Sequence, residues 1–382
     1  VIAHRPTIAE IDLGAFRANL DRVRALVGTR VKIIAVVKAD AYGHGMQPCA
    51  REAIAWGAEM LAVATVDEAL TLRETKGFSK PPILLMGPSF PDDARDLAKA
   101  RISVAVGNRE LLEANLAECR RDGKPGRIHL KIDTGMGRYG FAPGEAVEII
   151  GGLGRDAAHL EGLMSHYSVS DSGKPADQEF TQQQTRRLRI IANANKSMGL
   201  SFFTHAANSG AVLHHPDAHF DAVRPGVMLY GTHPDPAVVD ETLRQVMSLK
   251  TRVVSIHPHA AGDPIGYGRT YTMPHDGRVG LLPIGYGDGL PRSLGNRARV
   301  LIRGKRVPII GRVCMDQVMI DLTGVDGVEV GEEVVLYGAQ GSERIGIEEA
   351  ASIAGTITYE ITCQVGKRVP RRWLNPSPSS VG

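Results

Sequence analysis

The feature that most constrains this chain is a change of texture near residue 240. Before it, short aliphatic and β-branched runs recur at nearly even spacing: VKIIAVVKA (31–39), MLAVAT (60–65), PILLMG (82–87), ISVAVG (102–107), IHLKID (128–133), LEGLMSH (160–166), FFTHAAN (202–208) and AVRPGVMLYG (222–231). Segments of helical composition, such as VDEALTLRETK and DQEFTQQQTRRLRIIANANKSMG, separate most of them. Strands joined through helices pair in parallel, because a helix carries the chain back to the starting edge. Eight such runs in roughly 230 residues match a closed (β/α)8 barrel, with an open doubly wound sheet as the alternative. Beyond the change, LKTRVVSIH, RVGLLPIGYG, RARVLIRGKRVPIIG, QVMIDL and EVVLYG read as strands divided by Gly, Pro and Asp, and helical signal is limited to IGIEEAASIAG (345–355). The expected fold is therefore α/β: an N-terminal (β/α)8 TIM-like barrel over 1–240 and a C-terminal mainly β domain over 241–382. The boundary is expected in THPDPAVVDETL (232–243), where turn residues precede a short helical run.

At 382 residues, a large domain plus a smaller one is the expected organisation. Apolar runs such as IIAVV (33–37) fall far short of the roughly 20 residues that span a bilayer, so no membrane role is expected. A net charge of +3 without a clustered basic stripe argues against nucleic acid as a partner. The groups RRLR (186–189) and KRVPRRW (367–373) read as solvated faces. The four cysteines form no CxxC pair, which fits a reducing, cytoplasmic setting and no zinc site. No metal is expected elsewhere, since His44, His257 and His259 lack ligand spacing and read as local hydrogen-bonding groups. The N-terminus shows no export signal, although a chain that starts at Val1 leaves room for a removed leader, and NPSPSSVG reads as a frayed tail.

In a barrel, chemistry collects at the C-terminal ends of the strands. The runs above end near Lys38, Lys131 with Asp133, His166, His205 with Asn208 and Ser209, and Arg224 with Gly226. Lys38 closes an apolar strand, where desolvation turns a lysine amine into a nucleophile for an aldehyde; the plain alternative is a snorkelling lysine. Tyr42 adds a hydroxyl, and Gly43 and Gly45 permit close backbone approach. The loops after the seventh and eighth runs, with Asn208, Ser209 and Gly210 and with Arg224, Pro225, Gly226 and Val227, suit a phosphate; a simple turn and a surface charge are the alternative. Lys131 and Asp133 share one face of the fifth run by period-2 alternation. Cys314 reads as a packing residue.

VVKADAYGHG, KIDTGMGRYGF, HAANSG and VRPGVMLYG in the first part, and GYGRTYT, LPIGYGDG, GRVCMDQ and TYEITC in the second, follow one another along the chain. Together they resemble the alanine racemase family, over nearly the whole sequence and both parts. The resemblance implies a fold-type III enzyme of pyridoxal 5′-phosphate (PLP), with the cofactor on the barrel and a homodimer with two shared active sites. It implies an isomerase that interconverts L-alanine and D-alanine and supplies D-alanine for peptidoglycan. A fold-type III decarboxylase and a broad-specificity racemase are rivals within the same plan; a non-catalytic PLP carrier would not need residues 245–375.

Site roles follow from the same resemblance. Lys38 forms the Schiff base and is one acid/base, and Tyr267 of the partner subunit is the other. Two opposed bases invert a centre where one would favour retention. Tyr42, Ser209, Gly226, Val227 and Tyr359 match the positions that hold the phosphate, and His166 the position against the ring. Arg224, positioned by His205, matches the partner of the pyridine nitrogen. A permanent guanidinium there leaves that nitrogen unprotonated and disfavours transamination. Lys131 matches a carbamylated lysine that holds Arg138, which in turn supports the phenolic oxygen and the substrate carboxylate; the alternative is a plain lysine paired with Asp133. Met315 matches a backbone contact to substrate from the second subunit, with Asp316 beside it in support, as is Asn208. Tyr286 and Tyr359 match residues that narrow the entrance.

Overall fold

In the computed structural model the described residues are 5–377 without 124, 125, 198, 201 and 236, so the chain start and the tail from 378 lie outside them. The chain forms two compact units.

The larger unit comprises Asn19–Ala41 and Met46–Leu229. Numbering the strands from β1 (Ile8–Asp12), which belongs to the other unit, the barrel consists of β2 (Lys32–Val36), β3 (Met60–Val63), β4 (Ile83–Leu85), β5 (Ser103–Val106), β6 (Ile128–Lys131), β7 (Leu160–Met164), β8 (Phe203–His205) and β9 (Ala222–Val223). Neighbours pair in parallel, and β9 closes on β2 through Lys32↔Ala222 and Ile33↔Val223. The strands β3, β4, β5 and β6 are buried at every position, as parallel strands under a ring of helices must be. Local signals fix the helices. Thr65 and Glu68 form a capping box on the helix Val66–Glu74, and Asn108 caps Arg109–Asp122, which stops at a left-handed Gly123. The eighth run, expected over 222–231, yields a strand of only two residues because Pro225 has no N–H to continue the ladder.

The second unit holds a ten-stranded, mainly β sheet with a separate two-stranded ribbon, Pro264–Ile265 with Tyr271–Thr272. The described residues up to Ala18 belong here, which corrects the expected 1–240 boundary of the barrel. Strand β1 lies antiparallel to Met247–Arg252 and parallel to Arg371–Leu374. The KRVPRRW segment keeps Lys367, Arg368 and Arg372 exposed, as a solvated face does, and also ends in a sheet strand. Arg371 donates to the carbonyls of Gly43, Gly366 and Val369, and Trp373 Nε1 donates to His44 O at 2.9 Å. The helical run expected in 232–243 is turn among the described residues. Besides Ile347–Ala354, a six-residue helix, Thr358–Cys363, forms from TYEITC, too short to show a period in sequence. Among the described residues no helix is long and apolar enough to cross a membrane.

Candidate active site

After β2 the backbone leaves the barrel in an unusual way. Ala39, Asp40, Ala41 and Tyr42 all have φ between 52° and 54°, a left-handed turn that begins at Lys38. Each such residue costs about 1–2 kcal/mol relative to a right-handed one, so the turn needs external support. Ala39 N–H donates to Glu68 Oε1 at 2.6 Å, while Glu68 Oε2 accepts from Ala64 at 2.8 Å and Thr65 at 3.2 Å. Asp40 Oδ1 accepts from the N–H of Met46 at 2.7 Å. The capping carboxylate of one βα-loop therefore holds the lysine turn of its neighbour. Strain maintained this deliberately marks a functional position.

Arg224 is 3% exposed and spends its donors inside the barrel. Nη1 reaches His205 Nδ1 at 2.6 Å; Nη2 reaches the carbonyls of Ser165 at 2.7 Å and Ala206 at 3.0 Å and stands 3.2 Å from His166 Nδ1. Burial draws the Arg224 pKa down to about 10, which leaves it charged at neutral pH. His205 and His166 are held far below the usual imidazole range, first by burial and then by Arg224, so both are neutral.

Four basic groups, Arg224, Arg138, Lys131 and Lys38, act together on His166. Lys131 is buried, its pKa pushed down to about 8 by burial and then by Arg224, with Ile132 O at 3.4 Å from Nζ. Asp133 makes no ion pair with Lys131 among the described residues. Its carboxylate accepts from the N–H groups of Gly135, Met136, Gly137 and Arg138 at 2.8–3.1 Å, which shapes the loop that carries the exposed Arg138 side chain. Asp133 therefore shapes its own loop and does not hold Lys131 at ion-pair distance.

The loops after β8 and β9 meet through Ser209, whose Oγ accepts from Gly226 N at 2.9 Å and Met228 N at 3.4 Å. Asn208 Oδ1 accepts from Ala211 N at 3.0 Å and Ser170 Oγ at 2.7 Å. Ser209, Gly226 and Val227 are buried, and Asn208 shapes their loop.

In the other unit, Tyr42 packs on Tyr230 (ring centroids 4.9 Å apart) and Tyr359 (5.8 Å). Gly43 and Gly45 do permit close approach, of the Thr362 carbonyl and of the Trp373 ring respectively, where a Cβ would collide. Tyr286 N donates to Cys314 O and Gly287 N to Met315 O, so the GYGDG and CMDQ loops are laced together. Arg368 holds Asp316 at 2.7 Å. Cys314 is a thiol whose pKa burial raises, in keeping with packing. Tyr267 stands on a three-residue turn after Gly266 (φ 69°). It is 72% exposed, with Met315 at 53% and Tyr286 at 44%.

Three supporting residues escaped the sequence reading. Glu68 had a legible signal in its capping box with Thr65. His129 shares the face of Lys131 by the same period-2 count, and Glu161 is the second residue of the neighbouring β7.

Residues 11–234 match the family described as alanine racemase, N-terminal domain, and residues 246–373 its C-terminal domain. The chain is 40% identical to the alanine racemase of Desulforamulus reducens over 97% of this chain and 99% of that one. It is 43% identical to that of Symbiobacterium thermophilum over 96% and 97%. Among solved structures, alanine racemase from Streptomyces coelicolor A3(2) superposes with a TM-score of 0.90 at 39% identity, covering 98% of this chain and 99% of that one.

Proposed function

The chain belongs to the alanine racemase family, and from that premise we propose that it interconverts L-alanine and D-alanine with PLP as cofactor. The observation that carries the site assignment is the buried Arg224, bonded to His205 and 3.2 Å from His166, with the left-handed turn of Lys38 and the buried Lys131 at other strand ends of the same barrel. An anionic cofactor fits that donor set: cations for phosphate and phenolate oxygens, and an amine for an aldehyde. When bound, PLP withdraws electrons from the substrate α-carbon and acidifies its C–H bond.

The chain's own residues do the rest. Lys38 Nζ removes or returns the α-proton on one face, and Tyr267 Oη, contributed by a second copy of the chain, does so on the other. Ser209, Gly226 and Val227, with Tyr42 and Tyr359, would hold the phosphate, and His166 would support the ring. Arg224 would hold the ring nitrogen and, as a cation, would keep it unprotonated. Lys131, neutral in a larger fraction than an ordinary lysine, adds carbon dioxide and as a carbamate anion turns toward Arg138, which steadies the substrate carboxylate. Met315, supported by Asp316, and the tyrosines 286 and 359 limit the substrate to a small side chain. The homodimer with shared sites is supported by the exposure of Tyr267, Met315 and Tyr286, which a second copy would cover. A cytoplasmic enzyme that supplies D-alanine for peptidoglycan fits the free thiols of Cys49, Cys119 and Cys314.

Incubation with L-alanine and PLP in deuterated water, followed by chiral analysis, tests the function. D-alanine with α-deuterium is expected; carbon dioxide release, or PLP binding without turnover, would overturn the proposal.

A further inference from the structure

Barrels of this kind are ordinarily filled by layers of aliphatic side chains. Here a row of polar groups runs through the interior instead. From Arg224 Nη1 it passes to His205 Nδ1 (2.6 Å), from His205 Nε2 to His129 Nδ1 (2.7 Å), and from His129 Nε2 to Glu161 Oε2 (3.2 Å), where Ser103 Oγ also donates at 2.5 Å. His205, His129 and Ser103 are fully buried. Glu161 is half-buried and lines a cavity of about 1050 Å³. That cavity opens at the N-terminal end of the barrel, since its walls are residues that start strands or precede them: Lys32, Arg127, Ile128, Leu160, Phe203 and Asp221.

The row has one direction. A guanidinium only donates, so His205 Nδ1 accepts and Nε2 carries the hydrogen. His129 Nδ1 then accepts from His205, and His129 Nε2–H donates to the Glu161 carboxylate. Burial opposes ionisation of Glu161, but the bonds from His129 and Ser103 and the nearby Arg127 hold its carboxyl below the usual range. The barrel wall is cut to fit. Gly162 pairs in register with His129, and a Cβ there would stand 2.5 Å from His129 Nδ1 and 2.8 Å from Cε1. The His129 ring also packs edge-on against Phe203 (5.2 Å) and His205 (4.9 Å).

We infer that His129 and Glu161 are positioning residues for Arg224, acting through His205 from the opposite end of the barrel. The inference rests on the reading of Arg224 as the group that faces the cofactor nitrogen. The carboxylate gives the row an acceptor at its far end, His129 passes that polarity on, and His205 is thereby fixed in the tautomer and tilt that give Arg224 its shortest bond. Without them Arg224 keeps its carbonyl partners, but its guanidinium plane is no longer set by the imidazole.

The test uses PLP-loaded protein labelled with 15N in its histidines. In the wild type both His205 and His129 are expected as neutral Nε2–H tautomers. His129→Leu is expected to mix the His205 tautomers, shift the absorbance of bound PLP, and lower kcat about tenfold with KM for alanine within about twofold. His129→Gln, which keeps an acceptor and a donor in the same order, is expected to recover most of the loss. Glu161→Gln, at the open end where folding is least at risk, is expected to mix the tautomers of both histidines. An Nδ1–H tautomer of His205 in the wild type overturns the inference. So do unchanged tautomers and kcat in both His129→Leu and Glu161→Gln, or a His129→Gln variant no better than Leu. If the wild type does not racemise alanine, the functional reading falls, and the histidine spectra still decide the relay.

Discussion

The two units prepare their chemistry in opposite ways. The barrel gathers Arg224, His205 and Lys131 in its interior, each buried, with bonds that leave little freedom. The β unit puts Tyr267, Met315 and Tyr286 on laced loops and leaves them open to solvent. A buried network is costly to disturb, because each lost partner strands another polar group. An exposed side chain is cheap to change and contributes only when something covers it. On the proposed reading, cofactor capture would draw mainly on the buried barrel groups, with Tyr42 and Tyr359 added from the other unit, whereas turnover would need the exposed loops to be covered by a second copy.

The largest effect should come from the barrel side. Lys38→Ala is expected to abolish borohydride trapping of PLP, seen by intact mass, and to lower racemisation by about 10⁵-fold or more. Trapping that survives would move the nucleophile elsewhere. Next is Tyr267→Phe, which is expected to retain trapping and keep its urea midpoint, with stability within about 0.5 kcal/mol, while racemisation falls roughly 10²–10⁴-fold. A matching loss of stability would erase the contrast between the units. Mixing the two inactive variants sharpens it. If Tyr267 works across the dimer, half of the dimers in an equimolar mixture are mixed, each with one intact site, so about a quarter of wild-type activity returns; no recovery after subunit exchange would place both bases in one chain.

The smallest effect concerns Lys131. With its pKa pushed down to about 8, the amine is protonated below that pH and neutral above it, and only the neutral amine adds carbon dioxide. Label from ¹³C-bicarbonate should therefore appear at Lys131 by NMR with occupancy that rises from about pH 7 to about pH 9 and is absent in Lys131→Arg. A signal that does not change across this range would disconnect carbamylation from the buried amine.

The sequence made the barrel legible because each of its strands is an apolar run closed by a helix start, and those signals are local. It missed β1 and Arg371–Leu374 for the converse reason: IAEID precedes a helix like any barrel unit, and nothing nearby reveals partners more than two hundred residues away. Lys38, Arg224 and Ser209 could be found because they stand where strands end. Glu161 and His129 were passed over because polar residues near the start of a barrel strand normally report stability alone.

The placement of β1 has a consequence for how the protein is made. Its parallel neighbour, Arg371–Leu374, leaves the ribosome about 360 residues later, tens of seconds at ~5–20 residues per second. Over that interval the barrel strands gain their neighbours and β1 gains Met247–Arg252, but the other edge of β1, whose Ala9 and Ile11 are headed for buried positions, has no partner. A segment made early is therefore among the last to settle, and the nascent chain carries an unsatisfied strand edge until Arg371–Leu374 emerges.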